Sequence, residues 1–281
     1  MCEDVDNRKI LCDIAHCAFS VVNDLLFRDQ FLARNLRTKG TRSHQIIGKE
    51  CITDLIATEL ISKFPQHIEL TLFTHPEEAK NGADWYWRFE RGSHAIHARV
   101  QTKRVQRTDF RQSDDLGHIH INFNQLETLL QVTNNDSQKI FGLEAWYAIY
   151  ARINADPKCG YSNLNDCDDH HHTGNCKNNP PSLWISKAQD LKSLGIGNLR
   201  IIDIISHLIR LDCILPCIGE QRIKDQSNVL EPTNDRSDLP GPNQKGFELK
   251  PISQSYDECV DIIQNDPQMC PLFRGALRIY I

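Results

Sequence analysis

Residues 83–105 read ADWYWRFERGSHAIHARVQTKRV, from Ala83 to Val105, and their alternation decides the fold. Trp85, Trp87 and Phe89 fall on one side of a first arm, with Asp84, Tyr86 and Arg88 on the other, which is the period of a strand. The second arm repeats the pattern, with Ile96, Ala98 and Val100 opposed to His97, Arg99, Gln101 and Lys103. Gly92-Ser93 suits a two-residue hairpin turn, because glycine tolerates the positive φ that the first turn position demands. That turn fixes the register: Arg91 faces His94, Phe89 faces Ile96, Trp87 faces Ala98 and Trp85 faces Val100. A slip of one residue would set apolar against polar side chains along the whole hairpin.

The same register sets Asp84 opposite Gln101, with Lys103 two residues further along on the same face. Carboxylate and amide oxygens suit a hard cation such as Mg²⁺ or Mn²⁺. A lysine beside them can orient a water or hold a phosphate oxygen. The plainer alternative is a solvated polar face, common on antiparallel sheets.

Working outward, Arg8 to Asn35 carries apolar residues at helical spacing, and Ile46 to Phe64 makes a second helix stopped by Pro65. Glu50 and Asp54 lie one turn apart on that helix, where acids near the start also suit the macrodipole. Ile68 to Thr74 alternates as a strand. A polar loop, Gln106 to Gly117, follows the hairpin, then a helix from about Asn122 to Thr133 and a buried strand, Leu143 to Tyr150. The order is helix, three strands, helix, strand, an α/β arrangement with a mixed sheet.

The motif residues, GAD at Gly82-Ala83-Asp84 and QTKR at Gln101 to Arg104, resemble the core motif of the PD-(D/E)XK nuclease superfamily. Glutamine in the second acidic position resembles the variant of Mrr-like restriction endonucleases. The resemblance implies a restriction-endonuclease-like αβββαβ core. It also implies a Mg-dependent nuclease cutting nucleic acid, with DNA and defence against foreign DNA as the expected setting. It gives Asp84, Gln101 and Lys103 the catalytic roles and puts Glu50, in GKECITD, in the place of a further metal-binding glutamate. Gln125 matches a glutamine often found on the following helix. Asp84, Gln101 and Glu50 are thus the expected Mg²⁺ ligands, and Lys103 the group that steadies the attacking water or the phosphate. Arg99, Arg104, Arg107 and Arg111, near the motif in sequence, are the expected contacts to a nucleic-acid backbone. The GADW segment with a VQxKR strand also resembles an uncharacterised, mostly bacterial group carrying a domain of unknown function.

Beyond the core, three parts are expected: a nuclease-like region over 1–155, a Cys/His-containing insertion and helical extension over 156–223, and a linker with a C-terminal segment over 224–281. In the second, Cys159, Cys167, His170, His171, His172 and Cys176 offer thiolate and imidazole to Zn²⁺, although their spacing fits no tight paired-ligand pattern. A flexible insertion is the competing reading. Helices are expected at Ser186 to Ser193 and Asn198 to Leu211, and a short helix and a final strand in Tyr256 to Ile281. If the insertion is the working part, the chain is a zinc-stabilised interaction protein. If the fold is kept without cleavage, it is a nucleic-acid-binding protein.

The composition is that of a globular chain: 281 residues, 40% apolar and 25% charged, with a net charge of −5, so any attraction to nucleic acid must be local. The N-terminus, MCEDVDNRK, lacks the basic-then-apolar pattern of a signal peptide, and no apolar run is read as long enough to span a bilayer. A cytoplasmic protein with no membrane partner is expected. The 11 cysteines are read mostly as reduced core residues.

Overall fold

A computed structural model describes residues 2–35, 47–72, 83–106, 116–153, 182–211, 214–215, 250–264 and 275–280. The helices are α1 (Cys2–Asn35), α2 (Lys49–Lys63), α3 (Phe123–Asp136), α4 (Ala188–Leu194), α5 (Ile201–Ile204) and α6 (Tyr256–Gln264). The strands are β1 (Ile68–Leu72), β2 (Trp85–Arg91), β3 (His94–Arg104), β4 (His118–Ile121), β5 (Leu143–Tyr150), β6 (Leu183–Lys187), β7 (Gly197–Arg200), β8 (Ile209–Arg210), β9 (Lys250–Pro251) and β10 (Gly275–Tyr280).

A mixed sheet of eight strands runs β1-β10-β2-β3-β5-β6-β8, with β9 added beside the start of β3. The β2–β3 hairpin has the expected register, Trp85 to Val100 through Arg91 to His94, around Gly92 at φ +55°. β5 runs parallel to β3 and pairs Gln101 with Tyr147, and β10 runs parallel to β2. The fold is mixed α/β, and α2, β1, β2, β3, α3 and β5 follow the expected order, interrupted by β4, which pairs with β7 off the main sheet.

The sheet is buried on both sides, making three layers. On one side, Trp85, Trp87, Phe89, Ile96, Ala98 and Val100 pack with α1 and α2 through Ile14, Phe19, Val22, Ile52 and Ile56. On the other, Tyr86, Tyr147 and Ile149 pack with α3, α4 and α6 through Leu126, Leu129, Leu191, Cys259 and Ile263. The plainer alternative of a solvated polar face does not hold along this stretch: Tyr86, Arg88, His97, Arg99 and Gln101 are all buried. Several polar members of this face are paired inside the core. Tyr86 and His97 share a hydrogen bond of 2.5 Å, Arg88 pairs with Glu90, and Arg99 pairs with Asp136 of α3.

Three further expectations change. The strand order departs from the chain order: the C-terminal strand β10 lies between β1 and β2, so the first strand does not pair with the hairpin. Asn198 to Leu211 is not one helix. Its apolar spacing is helical, but Gly197–Arg200 pairs in register with β4, and only short turns of helix follow. Pairing with a neighbouring strand outweighs the local period there. Lys187 ends a buried strand, and the helix expected from Ser186 begins at Ala188.

Within α1, Lys9–Asp29 is, by length and composition, long and apolar enough to cross a membrane, which corrects the absence read from sequence. Half of the qualifying window is buried, most of its apolar residues lie in the core although Phe27 is exposed, and Asp29 is paired with Arg104 of β3. Among the described cysteines, Cys17 and Cys259 are buried as expected, whereas Cys51 is exposed. Arg107, Arg111, Cys159, Cys167, His170, His171, His172, Cys176, Cys213 and Cys217 lie outside the described residues.

Candidate active site at the end of β2

β2 begins at Trp85, whereas its partner β3 continues to Arg104, so beside Gln101 and Thr102 the pairing gives way to a side chain. The Asp84 N–H still donates to the Val100 carbonyl at 2.8 Å, which holds the residue in register. Its carboxylate then lies against β3. Asp84 Oδ2 accepts the Thr102 N–H at 2.9 Å, the Gln101 Nε2–H at 2.6 Å and the Thr102 hydroxyl.

Because Gln101 and Thr102 point to opposite faces of β3, a carboxylate that touches both sits at the rim between the two helical layers. A lysine stands on either side of it, and one of them reaches it. From the first turn of α2, Lys49 Nζ donates to Asp84 Oδ2 at 2.6 Å and lies 3.9 Å from Glu50 Oε1. On the opposite face, Lys103 Nζ donates to Gln125 Oε1 at 2.7 Å and stands 6.0 Å from the centre of the Tyr147 ring. Gln125 is positioned by the start of α3, where the Asn122 side chain caps the helix by accepting the Gln125 N–H at 3.1 Å. Thr53, one turn beyond Lys49, shares a 2.7 Å hydrogen bond with the Tyr150 hydroxyl and so ties α2 to β5.

Burial acts on Lys103 first, with the Lys49 charge reinforcing it and Asp84 opposing: the ammonium is pulled down to about 8. Burial and the Asp84 charge push the Tyr147 phenol well above its ordinary value, so it stays protonated. Two buried oxygens at this level of the sheet, Gln101 Oε1 and Tyr147 Oη, have no hydrogen-bond partner. They belong to residues paired directly across β3 and β5.

The donor set can be compared with the cation implied by the motif. Asp84 and Glu50 share the Lys49 ammonium, and Gln101, whose amide N–H goes to Asp84, has a buried oxygen without a partner. These are oxygen donors of the kind a hard cation takes, two of them anionic. Among the described residues no three His, Cys, Asp or Glu side chains gather at one point. The donor types, two carboxylates and an amide oxygen, are those a divalent cation takes, and the Lys49 ammonium lies against the carboxylates.

The structure thus brings together Asp84, Gln101, Lys103, Glu50 and Gln125. It removes two arginines from the expected nucleic-acid contacts. Arg99 is wholly buried with Asp136, and Arg104 donates to Asp29 and to the Ile47 carbonyl, pinning α1 and the approach to α2 onto β3. Asp54 lies on an exposed part of α2. Lys49, Thr102 and Tyr147 were missed by sequence reasoning. Lys49 carried a signal, since a lysine in the first turn of a helix opposes the macrodipole. Tyr147 carried one only if β5 were known to run parallel to β3.

Residues 30–269 match a family described as a family of unknown function (DUF6615). The chain belongs to that family. The expectation of a family of unknown function covering much of the chain is met. The DUF6615 match carries no activity and does not point to the PD-(D/E)XK superfamily, so the nuclease resemblance rests on the motif residues alone. No curated protein matches the chain.

Proposed function

We propose that this chain is a metal-dependent nuclease that hydrolyses phosphodiester bonds in nucleic acid, with DNA as its substrate. The observation that carries the reading is the meeting of Asp84, Gln101, Lys103, Lys49 and Glu50 where β2 begins, beside the carboxyl ends of the parallel pair β3 and β5. Open α/β sheets hold ligands at the carboxyl ends of their strands. Mg²⁺ or Mn²⁺ bound there supplies Lewis-acid charge to a phosphoryl oxygen and acidifies a water.

The chain's own groups do the rest. Asp84, Gln101 and Glu50 offer the oxygen ligands. Lys103, anchored by Gln125, points its ammonium to the rim and meets the charge that grows on the phosphate. Lys49 adds a second positive group to a protein whose net charge is −5, which makes the attraction for phosphate local. Arg107 and Arg111 remain the proposed contacts to the nucleic-acid backbone, in place of the buried Arg99.

The test is cleavage of plasmid and linear DNA with Mg²⁺ or Mn²⁺ by the wild type, Asp84→Ala and Lys103→Ala, each checked for folding. Both variants are expected to lose metal-dependent cutting by roughly 10²-fold or more. A second reading is favoured by one observation, the neutral glutamine at position 101 with Lys49 already neutralising Asp84. In that reading the protein binds nucleic acid without cutting it. DNA binding that survives in Asp84→Ala, with no cleavage by the wild type, would select it.

A further inference from the structure

Lys49 is an unusual first-turn residue. Its positive charge sits at the positive end of the α2 dipole, where a cation is disfavoured, and Gly48 gives no side-chain cap to that helix. What holds it is a carboxylate at the edge of the sheet: Nζ lies 2.6 Å from Asp84 Oδ2, and 3.9 Å from Oε1 of its helix neighbour Glu50. Glu50 is shaped around the same spot. Its carboxylate folds back so closely over Gly48 that a Cβ there would meet Oε2 at 2.8 Å. The Lys49 side chain is 24% exposed, on a helix end, so it has a path out to solvent. Beside it the fully buried amide of Gln101 gives its N–H to Asp84 and leaves Oε1 without a partner.

We propose that Lys49 is a built-in competitor for the divalent cation: its ammonium occupies the position between Asp84 and Glu50 and must swing out before metal can be held there. The inference rests on the reading of Asp84, Gln101 and Glu50 as metal ligands and goes beyond it by naming what regulates their loading. In the apo protein the single ammonium offsets one of the two negative charges and occupies the place between them. Metal binding and Lys49 contact with Asp84 exclude each other, so the apparent metal affinity falls by the free energy of that contact.

Two measurements on the full chain test this. The first is Mn²⁺ affinity, read from the free Mn²⁺ signal in electron paramagnetic resonance, with no substrate present. Lys49→Gln is expected to bind Mn²⁺ more tightly than the wild type by roughly 5- to 100-fold, the range of a typical coupling between sites. Lys49→Arg keeps a cation on Asp84 and should hold the wild-type value, and Asp84→Asn added to Lys49→Gln should abolish the gain. The second needs no variant. The acetylation rate of Lys49, measured by peptide mass spectrometry against the exposed Lys63, should rise when Mg²⁺ is added at fixed pH and ionic strength.

Unchanged Mn²⁺ affinity in folded Lys49→Gln overturns the inference, and so does Lys49 acetylation that ignores saturating Mg²⁺. The two readings separate cleanly. Tighter Mn²⁺ binding by Lys49→Gln in a chain that cuts no DNA leaves the competitor standing and removes the nuclease. Asp84-dependent cutting with a metal affinity indifferent to Lys49 does the reverse.

Discussion

His97 sits on the covered face of β3, where its ring meets the Tyr86 hydroxyl and the charge of Arg88 stands nearby. Burial first and Arg88 second lower its pKa to about 3. The folded form therefore holds a neutral ring, while the unfolded chain takes up a proton near 6.5. Because the unfolded state binds more protons below that value, His97 costs stability as pH falls from about 6.5 toward 3, on the order of a few kcal/mol in all. Urea titrations across that range should show the decline in the wild type and a flatter profile in His97→Gln. Nothing in the sequence revealed this environment. The alternation placed His97 on the polar side of the hairpin but said nothing of what covers that side. Arg99 was assigned to nucleic acid from its nearness to the motif in sequence, which is equally silent on burial. Asp84, Gln101 and Lys103, by contrast, were legible, because register follows from the turn and the period alone.

At the scale of elements, the hairpin is held to its helices by buried ion pairs. Arg99 of β3 meets Asp136 at the end of α3, and Arg104 meets Asp29 of α1. Removing one partner of such a pair leaves a charge stranded out of water, so Asp136→Ala should lower unfolding free energy by roughly 3–5 kcal/mol in urea melts. Replacing Arg99 and Asp136 together with methionine and leucine should recover most of that loss, since an apolar pair has no charge to strand. Strands and helices with one clear period were readable: β2, β3, β5, α2 and α3 begin and end close to where the residues place them. The failure at 197–210 has a definite cause. Leu199, Ile201, Ile204, Ile205 and Leu208 satisfy a helical period, yet the pairing of Gly197–Arg200 with β4 lies outside any local window. Lys49 escaped for a similar reason, its partner being on another element.

For the whole molecule, the decisive feature is that β10 fills the gap between β1 and β2, pairing antiparallel to one and parallel to the other. Arg278 strengthens the seam by binding Glu69 of β1 and Glu90 of β2. A chain cut after residue 264 should lose its cooperative thermal transition and expose two unpaired strand edges, a state measurable as aggregation and dye binding. Sequence reasoning recognised ALRIYI as a strand but could not seat it, because an apolar strand carries no address for a partner so remote. That placement also orders events in time. While the chain is being made, β1 and the hairpin emerge early and have no hydrogen-bonding partner for their facing edges until residues 275–280 are synthesised. Closing the sheet between β1 and the hairpin therefore waits for that late strand, one of the most remote pairings in the chain.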